Sequence, residues 1–340
     1  MNTFLGIITF YAGSQCRIRN LKATIARLNE VWPDLDICLV EQNGNTEIEG
    51  VKFHDVVNIS DTRFNKTKLL NFAVYHHYDY THYVMIDADS WIDGGVVDNV
   101  INHCDDAPLV FPYKTCVYLN EAETRIKCRN SSINLNLSYN KSIPITRQTG
   151  LINVFSRKAF DSVHGFDEEF AGWGAEDDAF LFKLRRVNNS KEVRCDSGVV
   201  LHLWHEKANT DKYIASQNYK KNRGMCSLIR LMTDDEFNLY IQGKNTLTEL
   251  YDKYKNEGKV ENWYQIYLNH DTGMLLNIDA SIYFLKPENP TLYDTLKEIL
   301  YEDGVDYVKY FITTYIKPVK MSEDVEACLT KFMSENGIEL

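Results

Sequence analysis

The sequence predicts an α/β protein, a mostly parallel sheet flanked by helices, followed by a helical C-terminal region. Three observations carry that expectation. Short apolar runs alternate with helix-period segments through the first half of the 340-residue chain. One such run, His82–Ile86, stops at Asp87-Ala88-Asp89, as strands do where a sheet offers its carboxyl edge. Beyond about Met232 strand-like runs largely vanish and helical spacing takes over. The expected boundary therefore lies near 230, dividing the chain into 1–230 and 231–340.

The elements follow in order. Thr3–Tyr11 is a continuous apolar run suited to a buried strand. Ser14 is placed to cap a helix in which Ile18, Leu21, Ile25 and Leu28 recur at spacings of three and four. Asp36–Glu41 reads as a second strand ending in the turn-like Asn43-Gly44-Asn45, and Val51–Val57 as a third. Lys66–His77 fits a helix with Leu69, Leu70, Ala73 and Val74 inward. His82–Ile86 and Leu109–Tyr113 are strands. Glu121 to Gln148 is polar, Asn/Ser-rich and weakly periodic, and reads as a long loop over a site. Gly150–Ser156 is a strand leading into a short helix that reaches His164. Ala175–Val187 is a helix burying Phe180, Leu181 and Leu184, and Val199–Trp204 a strand. In the last helical pattern Val325, Cys328, Leu329 and Phe332 share a face.

Composition narrows the classes. Hydrophobic residues make up 44% and charged residues 25%, as in a soluble globular protein. The net charge of −11 speaks against nucleic acid as a partner, because an acidic surface repels phosphate. No apolar run reaches the ~20 residues of a membrane-spanning helix, and no signal peptide is legible. Eight cysteines lie scattered without a C-x-x-C pair, as expected of reduced thiols in a cytoplasmic protein. The oligomeric state is not legible.

Three motifs carry chemistry. Asp87 and Asp89 are alternate residues at a strand end, so their carboxylates can converge on one divalent cation, and oxygen ligands suit Mn²⁺ or Mg²⁺. In Gly172-Trp173-Gly174-Ala175-Glu176-Asp177-Asp178 the glycines permit a tight turn and the acidic triplet opens a helix. First-turn acids also favour the helix dipole, but that does not explain an indole between two glycines. A flat ring beside carboxylates holds a sugar face, so Trp173, Gly174, Glu176 and Asp178 are candidates for binding an acceptor. One carboxylate of the triplet Glu176, Asp177 and Asp178 is a candidate general base. The third motif is His202-Leu203-Trp204-His205, where His202 and Trp204 share a strand face and His205 approaches the strand end. On a strand of the same sheet, either imidazole is placed to complete a metal site with Asp89, and a mixed set favours Mn²⁺. Thr9, Tyr11, Arg17, Glu41, Lys68 and Asn71 lie near strand ends where a nucleotide would sit. G-x-G-x-x-G, Walker A, G-x-S-x-G and H-E-x-x-H are absent.

These features, in this order, resemble the GT-A glycosyltransferases over roughly residues 3 to 210. The first strand, residues 65–71 and "YVMIDADSWI" are similar to the nucleotide-binding half of family 2. "TGLINVFSRKAFDSVHGFDEEFAGWGAEDDAF" is similar to the acceptor half of beta-1,4-galactosyltransferases and bacterial chondroitin polymerases. The resemblance implies a GT-A, Rossmann-like sheet and an inverting transferase that uses a UDP-sugar donor, a Mn²⁺ (or Mg²⁺) cofactor and a glycan acceptor. It implies that Asp87 approaches the donor nucleotide and that Asp89 binds the metal with His202 or His205. It further implies that Trp173 contacts the sugar, Glu176 holds an acceptor hydroxyl and Asp177 is the base. The missing anchor, in contrast with Golgi members, implies a bacterial or viral enzyme using cytoplasmic donors. Two rival readings are a phage-type transferase acting on a modified DNA base and a carbohydrate-binding protein without catalysis. Residues after about 230 match nothing in the family.

Overall fold

The computed structural model describes residues 2–11, 13–129, 142–144, 149–172, 174–206, 217–257 and 323–339, with isolated positions between 296 and 312. The chain divides into two compact units, Met1–Asn222 and Arg223–Leu340.

The first unit opens with β1 (Phe4–Phe10), α1 (Gln15–Val31), β2 (Asp36–Gln42), β3 (Phe53–Val57), α2 (Lys66–His76) and β4 (His82–Asp87). There follow β5 (Ser90–Ile92), α3 (Gly94–His103), β6 (Leu109–Phe111), β7 (Thr115–Tyr118), α4 (Glu121–Arg129) and β8 (Ser142–Pro144). The remainder is β9 (Ile152–Ser156), α5 (Arg157–Ser162), α6 (Glu176–Asn188), β10 (Val193–Arg194) and β11 (Val199–His202).

Seven strands form a mixed sheet in the order β10-β6-β9-β4-β1-β2-β3. Its β3-β2-β1-β4 side is parallel throughout, and β9 runs antiparallel to β4 and β6. Leu5, Ile7 and Ile8 of β1 are fully buried, as a parallel strand covered on both faces requires. Leu21, Ile25 and Leu28 of α1 are buried, and so are Leu69, Leu70, Ala73 and Val74 of α2, as their spacing predicts.

At four places the structure corrects what the sequence predicts. Ser14 occupies the N-cap position of α1, but its hydroxyl lies 2.9 Å from Cys16 Sγ and makes no cap bond. The stretch Glu121–Gln148 is not all loop. It begins with α4, where Asn120 accepts from Glu123 N and Glu123 accepts from Asn120 N, a reciprocal cap. It also contains β8, while residues 130–141 and 145–148 lie outside the described residues.

The third correction concerns β11, which is not in the sheet of β4. It belongs to a second, four-stranded sheet in the order β5-β11-β7-β8. The turn at Ala88–Asp89 redirects the chain from β4 into β5, and β5 pairs antiparallel with β11 so that His202 faces Ser90. The fourth is that β11 stops at His202, so Trp204 lies past the strand, its N–H donating to Thr124 Oγ1 at 2.8 Å.

An aromatic cluster sets the start of α6. Phe180 stacks on Phe166 at 3.9 Å and meets Phe155 of β9 edge-on at 5.2 Å. The helix is thereby pinned to the strand next to β4.

In the second unit, Thr233 and Glu236 cap the helix Asp234–Ile241 reciprocally, and Thr246 and Glu249 do the same for Leu247–Asn256. The helix Glu323–Asn336 buries Leu329 and Phe332, while the side chains of Val325 and Cys328 lie outside the described residues. No described helix is long and apolar enough to cross a membrane. The seven described cysteines are free thiols.

Candidate active site

Each residue of the tripeptide that ends β4 is tied to a different element. Asp87 N donates to Leu151 O at 2.8 Å, and its Oδ2 accepts from Leu151 N at 2.9 Å. The carbonyl of Ala88 accepts from Thr24 Oγ1 of α1 at 3.1 Å. The carbonyl of Asp89 accepts from Leu203 N at 2.8 Å. The carboxylates of Asp87 and Asp89 therefore start from a fixed backbone.

The segment Thr149-Gly150-Leu151 supports the first of them. Leu151 has φ +69°, a left-handed conformation that costs energy for a γ-branched residue and points to a constrained turn. Tyr113 Oη donates to the Gly150 carbonyl at 2.8 Å, and Asn153 Nδ2 to that of Thr149 at 3.2 Å. A Cβ on Gly150 would lie 3.4 Å from both Asp87 Oδ2 and Asp177 Oδ2, so the glycine sits where the two carboxylates converge.

Lys66 joins those carboxylates. Its Nζ donates to Asp87 Oδ1 at 2.9 Å and to Asp177 Oδ2 at 3.0 Å. Burial opposes its charge, but Asp177, Asp87 and Glu176 outweigh burial and hold the ammonium above its ordinary value. Burial also acts on Asp87, where Lys66 and the Leu151 amide overcome it and keep the carboxyl below its usual range. The balance reverses at Asp177. Burial, with the charges of Glu176 and Asp87, pushes its carboxyl up to about 8 against the pull of Lys66. Burial raises Glu176 too. Asp177 Oδ1 is buried and has no hydrogen-bond partner among the described residues.

The backbone before α6 explains how these acids are presented. Gly172, Gly174 and Ala175 have φ of +79°, +112° and +72°. The chain thus enters the helix through a left-handed turn, and Glu176 Oε2 turns back to accept from Gly174 N at 3.1 Å. Asp178 Oδ1 accepts from Thr149 Oγ1 at 2.7 Å. Trp173 lies outside the described residues.

A second group lies at the other end of the tripeptide. His205 Nε2 is 3.3 Å and His202 Nε2 4.0 Å from Asp89 Oδ2, and the three ligand atoms lie within 4.8 Å of one another. The His202 ring stacks on Tyr118 at 4.7 Å. One carboxylate and two imidazoles at this spacing would suit a Mn²⁺-type ion.

The other predicted residues divide. Thr9 of β1 sits in register beside Asp87, and Tyr11, 37% exposed, stacks on Phe64 at 6.3 Å. Arg17 is exposed in the first turn of α1, and Lys68 is half-buried in the first turn of α2. Two expectations fail. Glu41 is fully buried, with its oxygens taken by Thr46 N, Thr46 Oγ1 and His54 Nε2, so its carboxylate is engaged in bracing the turn after β2. Asn71 is buried between Phe166 and Glu168, donating to both and accepting from Phe166 N, so it is a structural tie.

The sequence reading missed Lys66 and the Thr149–Leu151 turn. Lys66 begins a helix capped by Asn65, and a first-turn lysine is a poor dipole partner, which was a usable signal. Gly150 was legible only as the start of a strand.

Residues 130–206 match the family model of the N-terminal domain of galactosyltransferase. The galactosyltransferase-like segment is less than a quarter of the chain, yet it holds the Gly150 turn, Asp177 and both histidines. No curated protein sequence matches the chain. Among solved structures, the catalytic domain of Drosophila beta-1,4-galactosyltransferase 7 with xylobiose is 16% identical. The match covers 62% of this chain and 79% of that one, with a TM-score of 0.37. GalNAc-T7 with UDP, GalNAc and Mn²⁺ is 12% identical over 92% of this chain and 56% of that one, TM-score 0.48. The mannosyltransferase PcManGT of Pyrobaculum calidifontis, in complex with GDP-Man and Mn²⁺, is 13% identical over 93% and 88%, TM-score 0.43.

Proposed function

We propose that this protein is a metal-dependent, inverting glycosyltransferase that moves a sugar from a UDP-sugar donor to a hydroxyl of a glycan acceptor. The observation that carries the reading is Asp177. Its Oδ1 is buried and unpartnered, while its Oδ2 is held by Lys66 beside Asp87. A carboxyl pushed up to about 8 is a far better proton acceptor than an ordinary aspartate. The match of residues 130–206 to a galactosyltransferase domain supports the sugar-transfer class.

The residues divide the work. Asp177 takes the acceptor's hydroxyl proton as that oxygen bonds to the anomeric carbon and the bond from carbon to the diphosphate oxygen breaks. Glu176, two residues beyond Gly174, orients the acceptor hydroxyl. Lys66 bridges Asp87 and Asp177 and offsets the repulsion between them. Thr9, Tyr11, Arg17 and Lys68 border the donor side. Asp89, His202 and His205 would hold Mn²⁺, which neutralises charge on the departing diphosphate. A cytoplasmic location, where nucleotide sugars are made, is part of this reading.

Calorimetry with UDP, GDP, CDP and dTDP, each with and without Mn²⁺, tests the reading. Metal-dependent binding of UDP supports it. No binding of any nucleotide under either condition overturns it.

A further inference from the structure

We propose a second metal site, one that takes Zn²⁺, built from Cys38, Asp55 and His77 on the β2–β3 side of the large sheet. Cys38 Sγ lies 3.5 Å and His77 Nε2 2.8 Å from Asp55 Oδ2. All three ligand atoms fall within 4.8 Å of one another. None of these residues belongs to the Asp87–Asp177 centre or to the Asp89 histidine group.

The three come together by topology. Val40 pairs with Asp55 across β2 and β3, so Cys38, two residues before Val40, projects from the same sheet face as Asp55. His77 follows the last turn of α2, and the Tyr83 hydroxyl donates to its carbonyl at 3.0 Å. The His77 ring stacks on Phe53 at 4.1 Å. The imidazole is thus fixed in position and plane before any ion arrives, as a ligand histidine needs.

The donor chemistry selects the ion. A thiolate, an imidazole and a carboxylate suit Zn²⁺, which takes four ligands and would fill the fourth place with water. Mn²⁺ prefers the sulfur-free set at Asp89. Access is one-sided, because Cys38 is fully buried while the side chains of Asp55 and His77 are 28% and 13% exposed. On binding, the S–H bond breaks, a sulfur–metal bond forms and the proton leaves to solvent. Affinity therefore rises with pH. The ion would tie the edge strand β3 to the end of α2.

Co²⁺ titration of the full-length chain, followed by absorption, tests the proposal. A thiolate-to-cobalt charge-transfer band is expected, displaced by Zn²⁺. A sulfur-free site cannot give this band, so the band must persist when Asp89→Asn and His205→Ala are combined. It must vanish in Cys38→Ser. Should that buried substitution disturb folding, the more exposed His77→Gln and Asp55→Asn variants should each weaken Co²⁺ binding at least roughly tenfold. Zn²⁺ should also raise the Tm of the parent chain and not that of His77→Gln. Absence of the band from the parent chain, or its survival in Cys38→Ser, overturns the site.

Discussion

Asp87 and Asp177, 90 positions apart in sequence, share one ammonium, with Lys66 Nζ 2.9 Å from the first and 3.0 Å from the second. The ammonium is the one positive charge between two carboxylates that would otherwise repel each other. Lys66→Met would leave two largely buried carboxylates facing each other. A destabilisation of about 3–5 kcal/mol is expected, because breaking a buried pair leaves uncompensated charge. Urea denaturation measures it, and an unchanged midpoint would show that Lys66 holds nothing.

Asp177→Asn removes the base while keeping the shape. UDP affinity should change little, and kcat for transfer should fall by ~10²–10⁴, the usual contribution of general-base catalysis. Comparable turnover in the variant would refute the role.

The pH dependence follows from the same group. Asp177 must be ionised to accept a proton, and its carboxyl is pushed up to about 8. Below that value it is increasingly protonated, so kcat/KM should climb through neutrality and level off above about 8. A plateau already reached at pH 5 would assign the base elsewhere.

The metal prediction separates the ends of the tripeptide. His205→Ala should weaken activation by Mn²⁺ at least tenfold, a rough scale for losing a ligand interaction, while metal-free folding stays intact. The activation constant from a Mn²⁺ titration reports it directly. EDTA should abolish transfer by the parent chain, and indifference to chelation would count against the site.

Away from the site, Glu192 predicts how the fold meets acid. Its carboxylate takes two bonds from Arg185 at 2.7 Å and one from Arg194 at 3.3 Å. Burial would raise it, but the bonds and charge of Arg185 dominate and hold it at about 2, against an ordinary 4.5. The depressed value means that its stabilisation is present above about 4.5 and is lost as pH falls toward 2. The gap corresponds to about 3 kcal/mol. Acid unfolding followed by circular dichroism should show Glu192→Gln losing correspondingly less stability across that window than the parent chain.

The parallel strands were legible because burial on both faces leaves an unbroken apolar run, as in Phe4–Phe10. The acids of α6 were legible because a helix start flanked by glycines is locally written. The second sheet was not. Strands of three or four residues such as Ser90–Ile92 carry too few side chains to show a period, so the histidines were assigned to the wrong sheet. Lys66 stayed hidden because its meaning depends on Asp87 and Asp177, which only the fold brings near. Glu41 and Asn71 misled for the converse reason. Both sit at plausible strand or helix positions, and only their tertiary hydrogen bonds show that their polar atoms are already engaged.

The way Asp87-Ala88-Asp89 is anchored has a consequence for engineering. Its first residue is fastened to Leu151, its second to Thr24 and its third to Leu203, so it works as a rivet through three separate pieces of chain. A chimera that grafts this tripeptide alone into a related scaffold would carry the carboxylates without their fastenings. The transplantable module is the tripeptide together with residues 149–151 and 202–205 and the Thr24 hydroxyl, moved as one part.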